Sequence, residues 1–226
     1  MDEAIEAAKS AEVVIMVLGG SEVTVREERS RTSLDLPGRQ EELLKAVCKL
    51  GKPTILVMID GRASSINYAK KYVPAILHAW FPGEFCGQAV AETIFGDNNP
   101  GGRLAVTFPK SVGQIPFAFP FKPGSDSGCG TSVTGALFPF GHGLSYTTFE
   151  YSNLRISPEQ QGVLGEVKVS CTVKNTGKRI GDEVVQLYLR DEISSVTTYV
   201  KILRGFERIT LQPNEEKQSS SDYVVG

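Results

Sequence analysis

"VVIMVLGG", residues 13–20, decides how the chain is read. It is a continuous apolar, β-branched run ending in two glycines, the pattern of a parallel-sheet strand buried on both faces. Upstream, residues 2–11 set Ala4, Ile5, Ala8 and Ala11 at helical spacing, with Asp2 as a candidate cap. Downstream the chain leaves the core through a charged stretch, "REERSRTSLDLPGRQ" (26–40), in which five of the six residues Arg26 to Arg31 carry charge. Pro37 then sits where a first helical turn tolerates it, and Leu43, Leu44, Val47 and Cys48 form an apolar stripe that stops at Gly51.

The alternation continues. "PTILVMID" (53–60), "AILHAWF" (75–81) and "GRLAVTFP" (102–109) read as further strands, and "PGEFCGQAVAETIFG" (82–96) as a helix with a glycine at its end. Buried strands alternating with helices predict a mostly parallel α/β/α sandwich over residues 1–110. Residues 111–150, rich in Pro, Gly, Ser and Phe, read as a connector wrapping that domain. From Tyr151 the period changes to two, with Val167, Val169, Cys171 and Val173 on one face, which predicts a small antiparallel β-sandwich over 151–226. That segment is short for a sandwich of about 100 residues. Its end, "EKQSSSDYVVG", is polar where an alternating strand belongs.

Composition excludes several functions. With 24 Lys and Arg against 26 Asp and Glu the net charge is −2, and no basic block offers itself to nucleic acid or to an anionic membrane. No stretch approaches the ~20 apolar residues of a membrane span. The acidic, amphipathic N-terminus is unlike a signal peptide. Cys48, Cys86, Cys129 and Cys171 have no CxxC spacing and are joined by only two histidines, His78 and His142, so the reading calls for no metal and mostly buried free thiols. "LGGSE" lacks the GxGxxG spacing and no GxxxxGK[ST] occurs, so no nucleotide cofactor is expected. Ser145 follows His142 without a GxSxG elbow, so His142 reads as structural and His78 as a core histidine.

Ligand sites of open parallel sheets lie at the carboxyl ends of the strands. Glu22, Glu27 and Glu28 occupy the loop there, beside Arg26, Arg29 and Arg31. The loop reads either as a solvated face of exposed ion pairs or as the seat of a proton-transferring carboxyl group. Neighbouring guanidinium groups would depress a carboxyl pKa rather than raise it.

The segments "EERSRTSLDLPGRQEELLKAV", "GKPTILVMIDGR", "AILHAWFPGEFCGQAVAETIFGDNNPGGRLAVTFPKSVGQIP" and "GALFPFGHGLSYTTFEYS" resemble the C-terminal half of glycoside hydrolase family 3. Periplasmic β-glucosidases and β-xylosidases are the similar members. "NTGKRIGDEVVQLYLRD" and "KILRGFERITLQPNEE" resemble the family's fibronectin type III-like domain, here incomplete. The resemblance implies a retaining exo-β-glycosidase whose nucleophile is an Asp on an N-terminal (β/α)8 barrel. Its acid/base is a Glu shortly before an Arg and the "LPG" segment, which falls on Glu27, with Glu28 one step off and Glu22 outside the motif. It also implies a β-glucoside or oligosaccharide substrate, the barrel as a partner, a periplasmic or secreted location, and a chain that lacks the barrel, one strand before residue 1 and the last strands of the β-sandwich. The rival expectation is a non-catalytic carbohydrate- or partner-binding module.

Overall fold

The computed structural model describes residues 1–125, 133–158 and 165–224; Cys129 and part of the connector lie outside the described residues. The chain divides into two compact units, one of Met1–Val90, Val106–Ala118 and Gly124–Pro139, the other of Ala91–Ala105, Phe119–Pro123 and Phe140–Gly226.

In the first unit α1 (Asp2–Ser10) leads to β1 (Val14–Gly19), α2 (Gln40–Cys48), β2 (Thr54–Ile59), α3 (Asn67–Tyr72) and β3 (Ala75–His78). The three strands form a parallel sheet in the order β1-β2-β3. Its register pairs Val14 with Thr54 through Gly19 with Ile59, and Ile55 with Ala75 through Met58 with His78. One row of side chains, Met16, Leu56 and Met58, is buried with Leu44 and Val47 of α2, Ala8 of α1 and Ala69 of α3. Those helices pack on one another. Asp2 does not cap α1; Met1 holds the cap position and Asp2 is its first residue.

Three expectations change here. β1 is not buried on both faces: Val13, Ile15 and Val17 are 50, 44 and 61% exposed. It is an edge strand, and the row that contains Val17 is closed over only at β2, where Val57 is fully buried. "GRLAVTFP" adds no fourth strand. Phe108 instead makes an isolated antiparallel bridge to Phe138, donating its N–H to Phe138 O at 2.9 Å and accepting from Leu137 N at 2.8 Å. The connector therefore takes the ladder bonds that a neighbouring strand would use. The third strand ends at His78, and Trp80 just beyond it adopts φ 56°, which stops extension.

Polar contacts tie the chain entering the connector, and the connector itself at Leu137, to this unit. Ser65 Oγ donates to Pro109 O at 2.9 Å, Asn67 Nδ2 to Lys110 O at 2.8 Å, and Lys70 Nζ to Leu137 O. A single 3-10 turn, Val112–Gln114, carries a capping box between Ser111 and Gln114.

α4 (Cys86–Phe95) ends at Gly96, whose φ of 84° is the left-handed stop expected from the sequence. The second unit contains β4 (Phe149–Ser157), β5 (Glu166–Asn175), β6 (Gly181–Leu189), β7 (Ile202–Leu211) and β8 (Glu216–Val224). They form sheets β4-β5-β8 and β6-β7, antiparallel throughout. Val173, Ile209 and Leu211 make the core, with Phe149, Cys171 and Val185 against it. Asn175 is buried yet satisfied: it accepts from Thr147 Oγ1 at 2.6 Å and donates to Leu211 O at 3.0 Å and Arg179 O at 2.7 Å.

β8 corrects the reading of the polar end. "EKQSSSDYV" is a strand paired with β5 from Glu216–Lys174 to Val224–Glu166. A tight turn sets its register, with Asn214 at φ 66° and Asn214 N donating to Asn175 O at 2.9 Å. Backbone ladder bonds do not require apolar side chains. Ser219 and Ser221 lie opposite Cys171 and Val169 and help line an open cleft of about 590 Å³. The thiols of Cys48, Cys86 and Cys171 are free and half-buried rather than buried. Burial raises the pKa of Cys48 and Cys171.

Candidate active-site loop

Gly19 and Gly20 end β1 against the last residue of β2. Gly20 N donates to Ile59 O at 3.1 Å. The carboxamide of Gln40, at the start of α2, accepts from Gly19 N and donates to Gly19 O, both at 2.8 Å. One side chain thus clasps both ends of the excursion between Gly20 and Arg39. The two glycines serve this close approach, and α2 begins only at Gln40, after the excursion.

The excursion is ordered by local bonds. Thr24 N and Val25 N both donate to Ser21 O, at 2.9 and 2.7 Å. Arg29 N donates to Arg26 O at 3.2 Å, closing a turn with Glu27 and Glu28 at its two corners. Glu28 adopts φ 60°, a left-handed value that an acidic residue takes at some cost. Farther on, Arg31 Nη2 donates to Asp35 O at 2.8 Å, and the Ser33 hydroxyl donates to the Asp35 carboxylate at 2.7 Å.

Glu22, Glu27 and Glu28 are all exposed, and among the described residues none of their carboxylates has a hydrogen-bond or ion-pair partner. The arginines are therefore not used as counter-ions to them. Arg31 binds a backbone carbonyl instead, and its Nη1 is buried without a partner. Glu27 stands on the turn held between Arg26 and Arg29, whereas Glu22 lies inside the preceding Ser21–Val25 turn.

Residues beyond the loop reach it from the end of β2, and sequence reasoning missed them. Asp60 is fully buried and accepts from Ser64 Oγ at 2.6 Å and Arg62 N at 3.2 Å. Arg62 Nη2 in turn donates to Arg29 O. The signal was present in "MIDGR", an acid, a glycine and an arginine at a strand's carboxyl end.

His78 ends β3 with both ring nitrogens buried and unpartnered among the described residues. Its ring lies 4.3 Å from Trp80 and 5.0 Å from Phe108, centroid to centroid. Burial lowers its pKa, outweighing the opposing pull of the Asp60 carboxylate. In the other unit the Ser145 hydroxyl donates to Asn99 Oδ1 at 2.9 Å, a structural bond in place of a nucleophile's.

The first unit is thus a parallel α/β domain with a carboxylate-bearing loop at the end of its first strand, and the second holds an antiparallel, fibronectin-like β-sandwich. Residues 1–146 match the glycosyl hydrolase family 3 C-terminal domain, and residues 183–222 match the fibronectin type III-like domain. The chain belongs to glycoside hydrolase family 3. A β-xylosidase of Formosa agariphila is 49% identical over 222 residues, covering 96% of this chain and 31% of that protein. A periplasmic β-glucosidase of Salmonella typhimurium is 42% identical over 231 residues, covering 97% of this chain and 30% of that protein. Among solved structures, a β-glucosidase from Erythrobacter marinus superposes with a TM-score of 0.92 at 40% identity, over 99% of this chain and 31% of that one. The β-glucosidase of Listeria innocua in complex with glucose gives 0.87 at 31% identity, over 97% of this chain and 32% of that one. The chain thus spans about a third of the length of the relatives it matches.

Proposed function

We propose that Glu27 is the general acid/base of a retaining exo-β-glycosidase that removes terminal β-D-glucosyl or xylosyl residues. The observation that carries this reading is geometric: Glu27 is an exposed, unpartnered carboxylate on a turn whose two ends are both anchored. A group that must give a proton to a leaving oxygen and later take one from water needs that freedom on a fixed backbone. The match of "SRTSLDLPG" to the family motif and the β-xylosidase and β-glucosidase relatives support it.

Retaining hydrolysis needs a second carboxylate about 5–5.5 Å away to form the glycosyl-enzyme intermediate. By the family resemblance that group is an Asp on the (β/α)8 barrel, so these 226 residues supply one half of the pair. The substrate is a β-glucoside or oligosaccharide. Similarity to a periplasmic β-glucosidase supports a periplasmic or secreted setting.

Incubated with an aryl β-glucoside, the chain by itself gives negligible turnover. In a form that carries the barrel, Glu27→Ala slows cellobiose hydrolysis about 10²–10⁴-fold, the usual worth of a general acid/base, and activated aryl glycosides much less. Added azide restores part of the aryl glycoside rate. Undiminished cellobiose hydrolysis by Glu27→Ala would remove Glu27 from the mechanism and move attention to Glu28 or Glu22. Turnover by the chain alone near that of a complete enzyme would overturn the division of the pair. Saturable sugar binding by the isolated chain, with Glu27→Ala fully active on cellobiose, would favour the binding-module reading.

A further inference from the structure

Arg62 is placed as few surface arginines are. Its backbone N–H and the Ser64 hydroxyl share the fully buried Asp60 carboxylate, which fixes the turn that leaves β2. Its guanidinium crosses 33 residues of sequence to donate from Nη2 to the carbonyl of Arg29. That carbonyl belongs to the residue closing the turn on which Glu27 stands. The Nε–H is buried and has no partner among the described residues. An arginine kept for stability would have its buried donors satisfied, because an unmet buried donor is costly.

The other end of the same turn is held from the same place. Val25 precedes Arg26, and its two methyl groups lie against glycines: one against Gly20, the other against Gly61. A Cβ on Gly61 would meet Val25 Cγ1 at 2.6 Å and the Phe81 ring at 2.7 Å. The Asp60–Gly61–Arg62 segment therefore grips the Glu27 turn at both ends, by a charged hydrogen bond on one side and by packing on the other.

We propose that Arg62 is a positioning residue for the acid/base carboxylate, acting through the Arg29 carbonyl and seated by Asp60. The proposal rests on the reading of Glu27 as acid/base. Backbone placement matters there because a carboxylate displaced by about 1 Å from the leaving oxygen loses much of its catalytic advantage.

Two measurements separate this proposal from the reading beneath it. On the chain itself, hydrogen exchange of residues 24–31 should quicken about tenfold or more in Arg62→Ala, the worth of one charge-assisted hydrogen bond, while exchange in β1 and β2 stays unchanged. Arg62→Lys, which keeps a donor, should recover much of the protection. In a form carrying the barrel, Arg62→Ala should lower kcat on cellobiose about tenfold with little change in KM, hardly affect activated aryl glycosides, and be partly rescued by Arg62→Lys. Should Arg62→Ala fail to fold, Val25→Ala loosens the other grip and should show the same pattern. Wild-type exchange at residues 24–31 together with wild-type leaving-group dependence overturns the role of Arg62, even where Glu27→Ala is defective. A Glu27→Ala enzyme that hydrolyses cellobiose normally overturns the acid/base reading, whatever the exchange data show.

Discussion

At Gly19 the backbone runs at φ 140°, and a Cβ would point into the carbonyl of Ile59 on the neighbouring strand. Both the conformation and the space demand glycine, and the clash is with backbone, which cannot swing aside. Gly19→Ala is expected to destabilise the first unit by about 3 kcal/mol or more, read as a lower urea midpoint by the fluorescence of the single tryptophan, Trp80. The glycine pair was visible in the sequence but stood there as a strand end. Its reason, an approach of β1 to β2 close enough for Gly20 N to bond Ile59 O, is a tertiary fact. Glu27 became the candidate through the family resemblance, which sets the acid/base shortly before an Arg and "LPG". Arg62 was not legible, because its partner is 33 positions away and nothing local marks a guanidinium as bound for a carbonyl.

Among the elements of the second unit, β6 carries its chemistry inward as well as outward. Glu183 of β6 binds Arg103 Nη2 at 2.5 Å and accepts from Tyr151 Oη of β4 at 2.8 Å. Both charged side chains are only 11% exposed. Burial, then the bond to Glu183, raises the Tyr151 pKa and keeps the phenol a donor. Replacing Arg103 by Leu leaves Glu183 charged, buried and short of one partner, at an expected cost of about 3–5 kcal/mol. Thermal melts of Arg103→Leu against the parent check this, and an unchanged Tm would show that the pair contributes nothing. The alternating pattern of β5 foretold a sandwich strand, but nothing local in "GDEVVQLYL" marks Glu183 as the partner of Arg103. β8 shows the converse: its polar pattern hid a strand that the turn at Asn214 and the β5 ladder hold in register.

For the whole molecule, each unit carries a group whose pKa is lowered on folding, and both signs point to loss of stability in acid. His78 stays neutral in the folded first unit, so below its ordinary 6.5 the unfolded chain takes up a proton that the folded chain refuses. Asp182 in the second unit stays charged, chiefly through the Thr210 hydroxyl and then Arg208, so its contribution is fully present above its ordinary 3.8 and is lost as the pH falls from there through the lower folded value. Urea midpoints followed by Trp80 fluorescence should therefore begin to fall near pH 6.5, and His78→Phe should flatten that first step. A midpoint independent of pH between 8 and 5 would count against it. The sequence by itself determined the two fold types, the absence of nucleotide motifs and the loop that bears the candidate carboxylate. Periodicity, glycine stops and motif spacing act over a few residues and are written locally. Only the tertiary structure decided that one face of β1 stays open, that the connector takes the ladder bonds of the expected fourth strand, and that the end of β2 grips the Glu27 turn. Those outcomes depend on sheet register and chain crossing, which bring together residues whose local sequence carries no sign of one another.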